Sequence, residues 1–176
     1  MNAAIDAETV NRVREALGER LDGVLEAAAA ELGLSLEAVI ECLPAGMWSR
    51  IPGDHFVDVL QDVADWGETI TIVHTRDVIV EFSGRFPGGR IGHGFYNLAG
   101  DSPLSGHLRH ANCRNIVFLR RPFMGMDTLS IQFLNADGEA MLKIFVGRDA
   151  RRRLRADQVE RFARLASRYE TAAAGA

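Results

Sequence analysis

Apolar residues in the first quarter of the chain recur at intervals of three and four, which predicts amphipathic helices. Gly18 and Gly23 interrupt the pattern and predict a break between two helices. Ser35 stands where a further helix would have its N-cap, and Pro44 marks the end of that helix. We therefore predict a helical N-terminal cap over residues 1–43.

A loop, "LPAGMWSRIPGDH", and a short helix, "FVDVLQDVADWG", follow the cap. The period then changes to two, which predicts strands, and the short connectors between the strands require antiparallel pairing. "NADG" between the last two runs predicts a hairpin, and an amphipathic helix closes the chain. The predicted fold class is α+β, with a cap and a 44–176 domain built on an antiparallel sheet of about seven or more strands. The strand-like runs are ETITIVHT, DVIVEFSG, GHGFYNLAG, LSGHLRH, NIVFLRR, TLSIQFLN and EAMLKIFVG.

The two helices of the cap that flank Gly33 have the outline of a helix-turn-helix, a motif that often reads DNA. The second of them offers Glu37 and Glu41 and no basic residue, whereas a recognition helix has to face phosphates. We therefore expect this unit to pack on the main domain, with no nucleic acid as partner.

Charge and composition fit an ordinary globular chain with a net charge of -4. The apolar runs are too short to insert in a membrane, and the acidic start lacks the pattern of a secretion signal, so we expect a cytoplasmic protein. Cys42 and Cys113 lie far apart, without metal-binding spacing, and are expected to be buried hydrophobic residues.

Histidines fall in three of the strand-like runs of what we predict to be one sheet, where alternation fixes the neighbours on each face. A single histidine at such a position is more often a hydrogen-bonded structural group than a ligand. The residues predicted to share faces are Ile70, Ile72 and His74; Ser105, His107 and Arg109; and His93, Phe95 and Asn97.

Common catalytic motifs do not occur in the chain. It contains no G-x-S-x-G elbow, no Walker pattern and no H-E-x-x-H zinc motif, and the glycine-rich stretch "GRFPGGRIGHG" reads as a strand connector. An apolar surface that carries histidines beside arginines remains. That combination suits haem, which needs apolar walls, an imidazole or phenolate for its iron and cations for its propionates.

Several motifs together resemble the HutX/ChuX family of cytosolic haem-utilisation carriers. They are "PGDHF", "WGETITIVHTRDVIVEFSG", "GHGFYNLAG", "SGHLRHANC" and "RPFMGMDTLSIQFLNADGEAMLKIFVGRD", in order and at matching spacing. The resemblance implies an intracellular protein that accepts haem after import and passes it from a donor to an acceptor protein. It also implies a homodimer whose two sheets form a saddle, with one chain similar to half of the HemS/ChuS haem proteins.

The resemblance further implies two histidines that matter for haem, His74 and His107, as candidate axial ligands of the iron. Either one is the ligand, and the other is a second ligand or a wall of the site. Arg109, His93 and Tyr96 are further candidates for contact with haem, although alternation puts Tyr96 on the opposite face and favours a packing role. The alternative to carriage is a haem-degrading enzyme of the same pathway.

Overall fold

The computed structural model describes residues 5–173, with side chains as far as Tyr169. The glycine break and the N-cap predicted in the cap are both confirmed. The first helix ends beside Gly18, and the hydroxyl of Ser35 accepts a hydrogen bond from the amide of Ala38 at 3.2 Å. The helices are α1 (Ala7–Leu17), α2 (Leu25–Leu32), α3 (Leu36–Glu41), α4 (Phe56–Val63) and α5 (Ala156–Ala173).

The strands form two antiparallel sheets, which confirms the α+β class. The larger sheet has six strands in the order β1-β7-β8-β9-β2-β3, and the smaller has the order β4-β5-β6. Our expectation of one sheet was wrong, because the glycine-rich segment after β3 carries the chain out of the large sheet. The strands are β1 (Trp48–Pro52), β2 (Glu68–His74), β3 (Ile79–Arg85), β4 (Gly89–Gly92), β5 (Phe95–Leu98), β6 (His107–Leu108), β7 (Asn115–Phe123), β8 (Met126–Leu134) and β9 (Ala140–Phe145).

Strands β1 and β4 lie in segments that the sequence pattern assigned to a loop and a connector. In β1, Pro52 pairs with Asn115 of β7. Proline is tolerated there because β1 is an edge strand and needs no ladder hydrogen bond on its outer side. In β4, Gly89 lies against the ring of Tyr96, where a Cβ atom would come within 2.5 Å of the ring. Both segments are strands because they pair with a neighbouring strand, β1 with β7 and β4 with β5.

Each face of the large sheet has its own core. One face packs against α4, α5 and the small sheet, and the buried rings of this core include Phe56, Phe118 and Phe133. The other face packs against the cap through Val117 and Leu119 of β7. The cap therefore covers β7 and its neighbourhood, as we expected, while the division into residues 1–43 and 44–176 stays a prediction. The predicted apolar stripe of α5 lies in or against the larger core, through Val159, Phe162, Leu165, Ala166 and Tyr169.

No helix among residues 5–173 is long and apolar enough to cross a bilayer.

Candidate functional site

His74 ends β2 on the face of the large sheet that is turned towards the cap. It lines a cavity of about 140 Å³ between the sheet and the start of α2, with walls that include Ile72, Leu119, Phe123 and Phe145. The His74 side chain is 17% exposed. The predicted apolar face around this histidine is confirmed, and the cap closes it on one side.

A carboxylate of the cap reaches His74. Glu26 lies in the first turn of α2, and its Oε1 atom is 3.4 Å from Nδ1 of His74. The same oxygen accepts a hydrogen bond from Nζ of Lys143, whose side chain is only 7% exposed. The carboxylate of Glu26 thus contacts both His74 and Lys143 of the sheet at the cavity.

Arg121 of β7 also lines the cavity and binds the segment between α1 and α2. Its guanidinium donates to the carbonyl of Leu21 at 3.1 Å and to the carbonyl of Gly23. Burial lowers the pKa of Arg121, and the neighbouring carboxylates of Glu26 and Asp22 act in the opposite direction. The segment between α1 and α2 is therefore held to β7 by a buried cation.

His107 belongs to the small sheet, on β6, and is exposed. It pairs with Asn97 of β5 across the sheet, and its Nδ1 atom is 2.6 Å from Oδ1 of that residue. The ring of Phe95 meets the imidazole edge to face with 5.9 Å between centroids. The guanidinium carbon of Arg109 lies 4.7 Å from the centroid of the same phenyl ring. An imidazole, an aromatic ring and a cation thus share one exposed face.

The amide of Asn97 is anchored on its nitrogen side. Nδ2 lies within hydrogen-bond distance of three backbone carbonyls, those of Arg90 at 3.4 Å, Gly92 at 3.0 Å and Phe95 at 3.3 Å. These contacts tie the side chain to the β4–β5 hairpin that carries it.

Tyr96 faces the larger core, opposite to His107. It is fully buried, meets Phe56 edge to face with 6.1 Å between ring centroids, and burial raises the pKa of its phenol. This placement supports the packing role and leaves the phenol away from the exposed face of the small sheet.

His93 lies in the turn between β4 and β5. It has a φ of 51° and Gly94 after it has a φ of 80°, so both central residues of a two-residue hairpin turn have positive φ. Strand alternation does not continue through such a turn, and the prediction that His93 shares a strand face with Phe95 and Asn97 was wrong for this reason.

The structure does not bring His74 and His107 together on one surface. The neighbours of His107 on the sheet, Tyr96 and Leu108, point into the larger core, so the imidazole points away from it. Alternation along β2 likewise turns Thr71 towards that core and His74 away from it. Each histidine therefore lies on the face of its own sheet that is turned away from the larger core.

Glu26 and Lys143 were not among the residues that the sequence pointed to. A signal for Lys143 exists, since it is the only lysine of the chain and stands within an apolar strand. The sequence offers no such signal for Glu26, because it is one acidic residue among many in the cap. Within residues 5–173, no group of three or more His, Cys, Asp or Glu side chains is placed to hold a bare metal ion.

The fold of this chain is similar to half of a larger haem protein. ChuS of Escherichia coli O157:H7, described as a heme degrading enzyme, superposes with a TM-score of 0.71 over 92% of this chain and 49% of that protein. The two are 14% identical, so the likeness shows the fold alone.

Closer relatives show the family. The model of the haem utilisation ChuX/HutX family matches residues 49–165. The intracellular heme transport protein HutX of Vibrio cholerae is 34% identical over 154 residues, which are 86% of this chain and 80% of that protein. The solved structure of the heme binding protein ChuX is 44% identical and superposes with a TM-score of 0.80, over 90% of this chain and 99% of that one. The chain belongs to the ChuX/HutX haem utilisation family, as the sequence motifs indicated.

Proposed function

We propose that this protein is an intracellular haem carrier, which binds haem reversibly through histidine and passes it from a donor to an acceptor protein. The observation that carries the proposal is the family match over residues 49–165, which includes both His74 and His107. The name of the Vibrio cholerae relative, an intracellular heme transport protein, supports the same function and location.

Between the two histidines, the geometry favours His107 as the first iron ligand. The cavity beside His74 has about 140 Å³, close to the volume that accommodates a benzene-sized molecule. A porphyrin is far larger, so haem at His74 has to lie across the mouth of the cavity or displace the cap. His107 is exposed on an open face and meets neither obstacle.

The surroundings of His107 fit the needs of haem. Haem brings an iron with axial positions for ligands, a large apolar ring and two propionates. His107 supplies an imidazole, Phe95 an aromatic surface beside it, and Arg109 a cation for a propionate. A single imidazole on an exposed face also suits a carrier, because such a site releases its cargo more readily than a closed pocket with two ligands.

We further propose that the protein acts as a homodimer. Since His74 and His107 lie on opposite sides of the larger core, each turned away from it, we expect a haem that used both to take one histidine from each of two chains. The similarity of one chain to half of ChuS supports a pair of such units. Sedimentation equilibrium tests this part, for which we expect twice the mass of 19.3 kDa, and a monomer at micromolar concentration would contradict it.

Titration with haemin, followed at the Soret band, tests the carrier function and ranks the histidines. We expect His107→Ala to weaken haemin binding and alter the Soret maximum, and His74→Ala to have the smaller effect. His55→Ala is the matched control, because His55 is a partly exposed histidine that packs on Tyr169, with a ring separation of 4.1 Å. It does not line the cavity beside His74, and its described contacts do not include His107. If all three variants bind haemin as the wild type does, histidine ligation is wrong.

A further inference from the structure

We infer that Asn97 is a positioning residue that fixes the tautomer of His107 and so selects Nε2 as the atom offered to a metal. The inference rests on the proposed function only in that haem iron is the metal concerned. Its structural part concerns the protein without haem.

The orientation of the Asn97 amide follows from its surroundings. Backbone carbonyls only accept hydrogen bonds, and three of them lie around one end of this amide, within 3.0–3.4 Å. The NH2 group has to occupy that end, since the oxygen there would face three other oxygens. The carbonyl oxygen Oδ1 therefore points at His107.

The tautomer of His107 follows from the orientation of the amide. Oδ1 only accepts, so Nδ1 at 2.6 Å has to be the donor. A neutral imidazole carries one N–H, and with the proton on Nδ1 the lone pair is on Nε2. No residue of the described part of the chain makes a hydrogen bond with Nε2. The ring thus presents an unoccupied metal-binding nitrogen without any rearrangement.

The orientation of the His107 ring is also fixed by its neighbours. Asn97 and His107 are directly paired across β5 and β6, and Phe95 packs edge to face against the imidazole. Hydrogen-bond partners of this kind orient metal-binding histidines and tune their basicity. A neutral amide increases the electron density of the imidazole less than a carboxylate does. This choice of partner favours a bond to iron that is weak enough for transfer of the cargo.

Two substitutions separate the positioning role from a merely structural one. Asn97→Ala and Asn97→Asp both remove the NH2 group that ties the hairpin, so both loosen β4 and β5. Only Asn97→Asp keeps an oxygen that accepts from Nδ1. A structural role predicts the same effect for both variants, whereas the positioning role predicts a different effect for each.

The first measurement uses the protein without haem. Two-bond ¹⁵N–¹H correlations at pH 8, where an unperturbed imidazole is neutral, report which ring nitrogen of His107 carries the proton. We expect the Nδ1–H form in the wild type and in Asn97→Asp, and its loss in Asn97→Ala. A wild-type ring with its proton on Nε2 would overturn the inference.

The second measurement is the release of haemin to an excess of apomyoglobin, together with the reduction potential of the bound haem. We expect release from Asn97→Ala to be about tenfold faster than from the wild type. Release from Asn97→Asp should be no faster than from the wild type, with a lower potential, because a carboxylate acceptor makes the imidazole a stronger donor to iron. Equal acceleration in both variants would overturn the inference. Unchanged haemin binding in His107→Ala would instead reject ligation by His107, and the tautomer measured without haem would stand.

Discussion

Glu26→Gln removes the negative charge that the cap places beside two groups of the large sheet. Lys143 is the partner whose loss of pairing costs most, because its side chain is only 7% exposed and donates a hydrogen bond to Glu26. Removal of one member of a buried ion pair costs about 3–5 kcal/mol. Glutamine keeps an oxygen in the same place, and a neutral hydrogen bond returns about 1 kcal/mol. We therefore expect the free energy of unfolding to fall by about 2–4 kcal/mol.

Glu41→Gln is the matched control for this change. Glu41 also belongs to the cap and also binds the sheet, through Arg50 of β1 at 2.5 Å. The Arg50 side chain is 38% exposed and keeps a second partner, Glu37, at 3.0 Å. Exposed pairs contribute at most about 1 kcal/mol, so we expect a loss below about 0.5 kcal/mol for the same chemical change.

Urea unfolding, followed by far-UV circular dichroism, compares the two variants with the wild type. The expected result is a clear loss of stability in Glu26→Gln with an unchanged dependence on urea concentration, and a near-neutral Glu41→Gln. Equal losses in the two variants would refute the reasoning, because burial of the ammonium would then have no energetic consequence at this contact.

Four further predictions concern other parts of the molecule. Gln158→Leu removes three hydrogen bonds of a fully buried amide, and we expect about 3 kcal/mol lower stability in urea unfolding, whereas a loss below 1 kcal/mol would contradict this. Burial raises the pKa of Cys113 to about 12, so its thiol should resist a thiol reagent at pH 8 until the protein unfolds; rapid labelling of the folded protein would contradict this. The thiol of the unfolded chain has a pKa of about 8.5. The contribution of the buried, protonated thiol to stability is therefore complete below that pH and is lost as the pH rises towards 12. Urea unfolding at pH 8 and pH 10 checks this loss. Gly89→Ala should weaken haemin binding, because the new Cβ atom would lie 2.5 Å from the ring of Tyr96 and shift the small sheet; wild-type affinity would show that the sheet tolerates it. Haem bound to a carrier should survive ascorbate in the presence of catalase, and release of a biliverdin-like product would favour the haem-degrading alternative.

Most of the fold could be predicted because its elements differ in period. The cap follows the period of a helix, with breaks at Gly18 and Gly33 where the chain takes positive φ, and the strands after residue 67 alternate. The two missed strands, β1 and β4, contain proline and glycine respectively, and both residue types are depleted in strands. Their pairing with distant strands decides their conformation, and no local pattern contains that information.

The histidines of the candidate site were predictable from the sequence, whereas their contacts were not. His74 was recognised from its strand and from the family motifs, but its contact with Glu26 joins residues 48 positions apart and depends on how the cap docks. For His107, the sequence placed Arg109 on its strand and Asn97 on another. The 2.6 Å contact with Asn97 requires the register of β5 against β6, which short strands do not specify on their own.

The electron paramagnetic resonance spectrum of the haemin complex tests the central claim most directly, because it reports the axial ligands of the iron. We predict a spectrum of imidazole-ligated ferric haem in the wild type, and its loss or conversion to a different ligand state in His107→Ala. A wild-type spectrum typical of thiolate or phenolate ligation, or the same spectrum in the wild type, His74→Ala and His107→Ala, would contradict the account.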